Sequence, residues 1–186
     1  MKIIRLLSIL VFKIPPKKKY VFLSETSFER LEKIDIFKKF GVIPLLHEKI
    51  NIFIVIITIY KNGFVDLKKN YIKNYINFVS PKILVCYIDN YLPFYELYNF
   101  FKKKKIISVS IQNGMRSIVG DIFNLFSKDV RNLGCDYLLT LNKSTGKKFL
   151  EYIAAKNIII GSIQNNINKI SNFNKKKKNI IYFPIQ

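Results

Sequence analysis

Two apolar runs, KILVCYI (residues 82–88) and IISVSI (residues 106–111), each stop at a cluster of polar residues, and an amphipathic segment separates them. Short runs of this kind, bounded by chain breakers, read as strands buried on both faces. The first delivers Asp89 and Asn90. The second delivers Gln112, Asn113, Gly114 and Arg116. Open α/β sheets place their ligand crevice outside the carboxyl ends of the strands. Two strands that hand a carboxylate, amides, a glycine and an arginine to one rim therefore predict a binding site there.

The same alternation runs through most of the chain. After Pro15-Pro16, Tyr20–Leu23 reads as a strand ending at Ser24, Glu25 and Thr26. A helix follows from Ser27, with Phe28, Leu31 and Ile34 at helical spacing, and stops before Gly41. Val42–Leu46 reads as a strand, and Asn51 is placed to cap the apolar segment that runs to Asn62-Gly63. Asp66 is the expected N-cap of a helix whose buried stripe is Ile72, Tyr75, Ile76 and Val79. Pro93 suits the first turn of a helix with Phe94, Leu97, Tyr98 and Phe101 inside, closed by Lys102–Lys105. Residues 117–126 read as a helix and Tyr137–Leu141 as a strand. Asn142 or Ser144 then opens a helix carrying Phe149, Leu150 and Ile153. Ile158–Ile160 is a further strand, ending at Gly161-Ser162, and Asn179–Phe183 starts another.

Strands alternating with helices predict an α/β fold, a Rossmann-like and mostly parallel sheet with helices on both faces. The expected organisation is an apolar or interfacial helix over residues 1–16, one domain over 17–178, and the start of a further domain at 179–186. Ile3–Phe12 lacks the length to span a bilayer, which takes about 20 apolar residues, and Arg5 interrupts it. Three lysines and no small-residue cleavage site follow it, so it does not read as a signal peptide. The expectation is a cytoplasmic protein, with room for peripheral contact with the anionic inner face of the cell membrane.

Charge narrows the partners. The net charge is +20, yet only four of the 32 basic residues are arginines: Arg5, Arg30, Arg116 and Arg131. Base readout in nucleic acids favours the planar guanidinium fork, so the lysine bias argues against a nucleic-acid partner. Lysine runs at 17–19, 102–105 and 175–178 read as solvated loops or helix ends that also suit anionic lipid headgroups. Lys, Asn and Ile share A/T-rich codons, which is a sufficient cause for most of this charge. Cys86 and Cys135 have no metal-ligand spacing and read as small buried residues. His47, the one histidine, reads as an incidental loop residue.

Each candidate site residue has a structural alternative. Asp89 is the carboxylate placed for general-base work; equally, Asp89 or Asn90 could cap the helix near Pro93. Gln112 and Asn113 suit sugar hydroxyls, and Gly114 allows a tight turn or a close approach to a ligand. Arg116 offers a two-pronged hold on a phosphate or carboxylate; its alternative is a salt bridge to Asp121 or Asp89. Gly161 and Ser162 could form a small anion-binding turn, or an ordinary loop.

The ordered set PKILVCYIDN, FYEL, ISVSIQNGMR, DIF, CDYLLT, GSIQNN and IIYFPIQ resembles bacterial surface-polysaccharide biosynthesis proteins. These are similar to two-domain glycosyltransferases of the GT-B type and, more distantly, to CDP-glycerol glycerophosphotransferases. The resemblance implies a Rossmann-like domain on the acceptor side of an interdomain cleft. Its reaction would move a sugar or polyol phosphate from a nucleotide-activated sugar or CDP-polyol donor to a hydroxyl of a glycan or lipid-linked acceptor. It implies no bound metal or other cofactor. The donor-binding domain would begin near Asn179–Phe183 and is absent from this sequence, so turnover by this chain alone is not expected. In the glycerophosphotransferases a histidine-glycine pair occupies the turn that holds Asn113-Gly114 here, and asparagine cannot act as a general base. A non-catalytic carbohydrate-binding module or a truncated inactive fragment remains the alternative, with a basic nucleic-acid binder behind both.

Overall fold

A computed structural model of the chain describes residues 9–116 and 132–163. Its elements follow in chain order as β1 (Leu10–Val11), β2 (Tyr20–Leu23), α1 (Glu25–Leu31), a 3-10 turn (Asp35–Lys39), β3 (Gly41–Ile43), β4 (Ile50–Asn51), α2 (Ile52–Asn62), α3 (Leu67–Val79) and β5 (Ile83–Cys86). Then come α4 (Leu92–Glu96), α5 (Tyr98–Lys103), β6 (Ile107–Ile111), β7 (Gly134–Thr140), α6 (Lys143–Leu150) and β8 (Ala154–Ile159). Six of these strands form one sheet in the order β3-β2-β5-β6-β7-β8, and every adjacent pair is parallel. The predicted Rossmann-like α/β class is what forms.

The apolar runs are continuous because both faces of the strands are covered. Val21 and Leu23 of β2, with Leu84 and Cys86 of β5, face a core built with Tyr71, Ile76, Phe94 and Phe101. Phe22 and Val85, one residue out of step, face a second core with Leu31, Tyr87 and Ile111. That alternation is the period-two geometry of a strand. Serines within β6 are also buried, each with a partner: Ser108 with Asp136 at 2.7 Å, and Ser110 with the Tyr95 hydroxyl at 2.7 Å. Both cysteines are buried free thiols, and burial pushes the Cys86 thiol up to about 12, so it stays protonated and inert.

Local boundaries moved for identifiable reasons. α1 starts at Glu25, two residues before the predicted Ser27, because the Ser24 side chain accepts from the Ser27 N–H. β3 ends at Ile43 because Pro44 has no N–H for the ladder. Asn51 caps α2 as expected, accepting from the Ile54 N–H at 3.2 Å. Asp66 holds the N-cap position of α3 in a left-handed conformation and makes no side-chain capping bond. Neither Asp89 nor Asn90 caps the helix at Pro93, whose N-cap is Tyr91. That helix is interrupted at Leu97, whose side chain is buried.

At the amino end, Leu10–Val11 is a strand paired with Ile50–Asn51, not the end of a helix reaching Phe12. The extended pairing gives those backbone groups partners that a short isolated helix would have to find within itself. The expectations for residues 1–8, for the helix at 117–126 and for the strand at 179–183 lie outside the described residues.

Gly134 sits where β7 is irregular against β8. A Cβ added there would meet the Ala154 carbonyl oxygen at 2.5 Å and the Tyr98 ring at 2.6 Å. Neither group can retreat without moving a strand or a helix. Gly134→Ala should therefore cost about 1–3 kcal/mol of stability, read as a lowered urea midpoint. An unchanged midpoint would mean that β7 and β8 are not packed this closely.

Candidate functional site

Strand order places the site. The chain runs from β2 outward to β3, then returns to lay β5 against the other edge of β2. The topological switch point lies between β2 and β5, and crevices in open α/β sheets form there, beyond the strand carboxyl ends. A cavity of about 190 Å³ opens at that point, lined by Ser24, Thr26, Ser27, Arg30, His47, Glu48, Tyr87, Ile88 and Asn113. Drug-sized ligands occupy roughly 300 Å³ or more, so this volume suits one sugar ring or a small headgroup.

Glu48 organises one wall. Its Oε1 accepts from the Ser24 hydroxyl at 2.6 Å and the Thr26 N–H at 3.1 Å. Its Oε2 accepts from the N–H groups of Glu25 and Leu45, both at 2.9 Å. Burial alone would raise the carboxyl, but these four donors outweigh it and hold its pKa below the ordinary value. Ser24 is drawn into φ 88°, a left-handed region that costs a non-glycine residue strain. Its hydroxyl bonded to Glu48, its Oγ accepting from Ser27 and its N–H donating to Ile43 hold it there. The carboxylate takes up the donors at the start of α1, leaving Arg30 and His47 as the basic groups of the cavity wall.

The opposite wall is the β5–β6 rim. Asp89 is fully buried and its carboxylate is gripped on both oxygens by Arg116, with Nε donating to Oδ2 at 2.9 Å and Nη2 donating to Oδ1. The same Nη2 donates to Asn113 Oδ1 at 2.9 Å, which fixes Asn113 at the cavity edge. The Asp89 backbone carbonyl is tied to β6 through the Tyr95 hydroxyl, which donates to it at 2.9 Å. Tyr95 is buried, and burial raises its hydroxyl well above the usual tyrosine range, so it remains a neutral donor.

The predicted rim residues thus divide. Asp89, Asn113 and Arg116 come together as one linked cluster, realising the salt-bridge alternative for Arg116 with Asp89 as the partner. Gln112 is buried as a brace: its Nε2 donates to the Gly114 carbonyl at 2.7 Å and its Oε1 accepts from the Leu141 N–H at 3.0 Å. Gly114 has an ordinary backbone conformation, and a Cβ there would meet nothing within 4 Å. Asn90 is exposed in the turn after β5. Gly161 and Ser162 follow β8, the edge strand three positions from β5, and are not in the cavity lining; Gly161 has φ +69°. Asp121 lies outside the described residues. Among the described residues no group of three or more His, Cys, Asp or Glu is placed to hold a metal ion.

Comparison with known families bears on this rim. A protein-family model described as "putative O-antigen biosynthesis protein" matches residues 109–185. The matched stretch starts inside β6 and takes in the turn Gln112–Arg116, β7, α6 and β8, under half of the chain. This match supports a link to surface polysaccharide biosynthesis. No curated protein and no solved structure matches the chain.

Arg30, His47, Glu48 and Tyr87 are site residues that the linear reading passed over. The polar triplet after β2 was visible in the sequence. What it lacked was the knowledge that β2 and β5 are neighbours, which makes the triplet and the Asp89 rim two walls of one crevice.

Proposed function

We propose that this chain is the acceptor-side domain of a GT-B-like glycosyltransferase of surface polysaccharide assembly, with the switch-point cavity holding a sugar unit of the acceptor. The single observation that carries this reading is a small polar cavity between β2 and β5, edged by Arg30, His47, Tyr87 and Asn113. Hydroxyl-rich ligands need a mixture of donors and acceptors beside an aromatic or apolar surface, and this lining supplies both. The O-antigen family match supports the pathway. The donor, a nucleotide-activated sugar or CDP-polyol, would be held by a further domain.

Within this reading Asp89 positions rather than reacts. A carboxylate without exposed surface and with both oxygens engaged by Arg116 cannot reach an acceptor hydroxyl. Its part is to hold Arg116, and through it Asn113, at the cavity edge. His47 is the exposed cavity residue able to take a proton from that hydroxyl. The locked ion pair favours a second reading, binding without chemistry, in which the domain presents a glycan to a separate catalyst.

Ligand-observed NMR with a panel of methyl glycosides tests the reading on the full chain. Saturable binding is expected, weakened about tenfold or more by Arg30→Ala or His47→Ala, as loss of one charged hydrogen-bonding group implies. A transfer assay with UDP-glucose or CDP-glycerol, run on this chain joined to a donor-binding domain, separates the two readings. Absence of saturable binding across the panel would remove the carbohydrate assignment.

A further inference from the structure

Among the described residues, nothing covers one side of α2. α2 packs on α3 through Ile54 and Thr58, and Asn74 reaches across to the Thr58 hydroxyl at 3.2 Å. The opposite side of the helix carries Phe53, Ile56 and Tyr60, spaced i, i+3, i+7 in one stripe, with Ile56 60% and Tyr60 89% exposed. Further exposed apolar side chains lie near both helix ends. Phe64 is exposed in the turn that follows. Phe12 and Ile14 are exposed at the start, where the Asn51 side chain donates to the Lys13 carbonyl at 2.8 Å. Exposed apolar side chains grouped along one helix side of a folded domain mark a surface that meets something.

Charge selects the occupant. No acidic residue lies between Glu48 and Asp66, and Lys13 and Lys61, adjacent in sequence to exposed apolar residues, are themselves exposed. A second copy of a chain carrying +20 would bring lysines against lysines. An anionic bilayer surface offers an apolar boundary for the rings and phosphates for the lysines. Among the described residues no helix is long and apolar enough to cross a membrane, so contact through this ridge would be superficial. We propose that the α2 ridge docks the protein flat on an anionic membrane surface, with Phe53, Ile56, Tyr60 and Phe64 in the headgroup–acyl boundary and the lysines at the phosphates. The proposal is independent of the carbohydrate reading, and either can fail alone.

Co-sedimentation of the full chain with vesicles of phosphatidylglycerol and phosphatidylethanolamine tests it, with pure phosphatidylcholine vesicles as the neutral arm. Binding to the anionic vesicles is expected, at least about tenfold stronger than to the neutral ones. Ile56→Asp combined with Tyr60→Asp should reduce it about tenfold or more, and about 0.5 M salt should weaken it without abolishing it. Both positions are exposed, so the thermal melt of the double variant should match the wild type. Equal binding by wild type and variant, or binding that salt alone abolishes, would overturn the proposal. So would a dimer in sedimentation velocity that the same variant dissociates while vesicle binding is absent, which would give the ridge to a second copy.

Discussion

Arg116→Ala should lower the stability of the full chain by about 3–5 kcal/mol, because it leaves a buried carboxylate without its counter-charge. Asp89 has no exposed surface, whereas Arg116 keeps 15% of its side chain in contact with solvent. The guanidinium bridges two loops, joining Asp89 after β5 to Asn113 after β6. Arg116→Lys should recover part of the loss, since an ammonium restores charge but cannot bridge both carboxylate oxygens and the amide in one plane. Urea unfolding of Arg116→Ala, Asp89→Ala and the double variant checks the pair directly. The double variant should cost clearly less than the sum of the singles, because removing both charges leaves neither stranded. Additive costs, or a loss under about 1 kcal/mol for Arg116→Ala, would show that the two side chains do not form this buried pair.

Glu48→Gln should cost about 1–3 kcal/mol at neutral pH, at the lower end to the extent that water reaches the half-buried site. Each carboxylate oxygen receives a backbone N–H, so either orientation of the glutamine amide sets its NH2 against a donor. The cost has a pH signature. The folded-state pKa of Glu48 is depressed, so its contribution is complete above the unfolded value near 4.5 and disappears as pH falls through the lower folded value. The gap between wild type and variant should be flat from about pH 6 to 8 and close progressively below about pH 4.5. The Asp35 carboxyl, lowered by its hydrogen bond and charge pairing with Lys38, is present in both proteins and cancels from the difference. Unfolding curves collected across that range check this, and a gap that stays constant to pH 3 would mean that Glu48 does not carry the charge that organises this wall.

The candidate site was half legible in the chain. Asp89, Asn113 and Arg116 announced themselves because each follows an apolar run, and the structure links them. Gln112 stood in the same position by sequence, but its amide is consumed in bridging β6 to β7. Nothing in a linear pattern separates an amide that faces a ligand from one that braces two loops. His47 read as incidental, yet it lines the cavity because the loop after β3 folds back so that Glu48 can reach the start of α1. That return is a long-range contact, Glu25 and Glu48 being 23 positions apart in the chain.

The order of apolar runs and breakers was enough by itself to specify a parallel α/β sheet. Period-two and period-3.6 burial are local properties, written wherever a strand or helix must cover one face. Strand order was not so written. β2 lies beside both β3 and β5 because of how the crossovers pack, and that adjacency alone makes a crevice from loops more than 60 residues apart. Whether a polar side chain at the rim meets solvent, a ligand or a buried ion partner depends on neighbours brought in by the fold. Asp89 is the case in point, a candidate base or helix cap by position and the sealed half of an ion pair by packing.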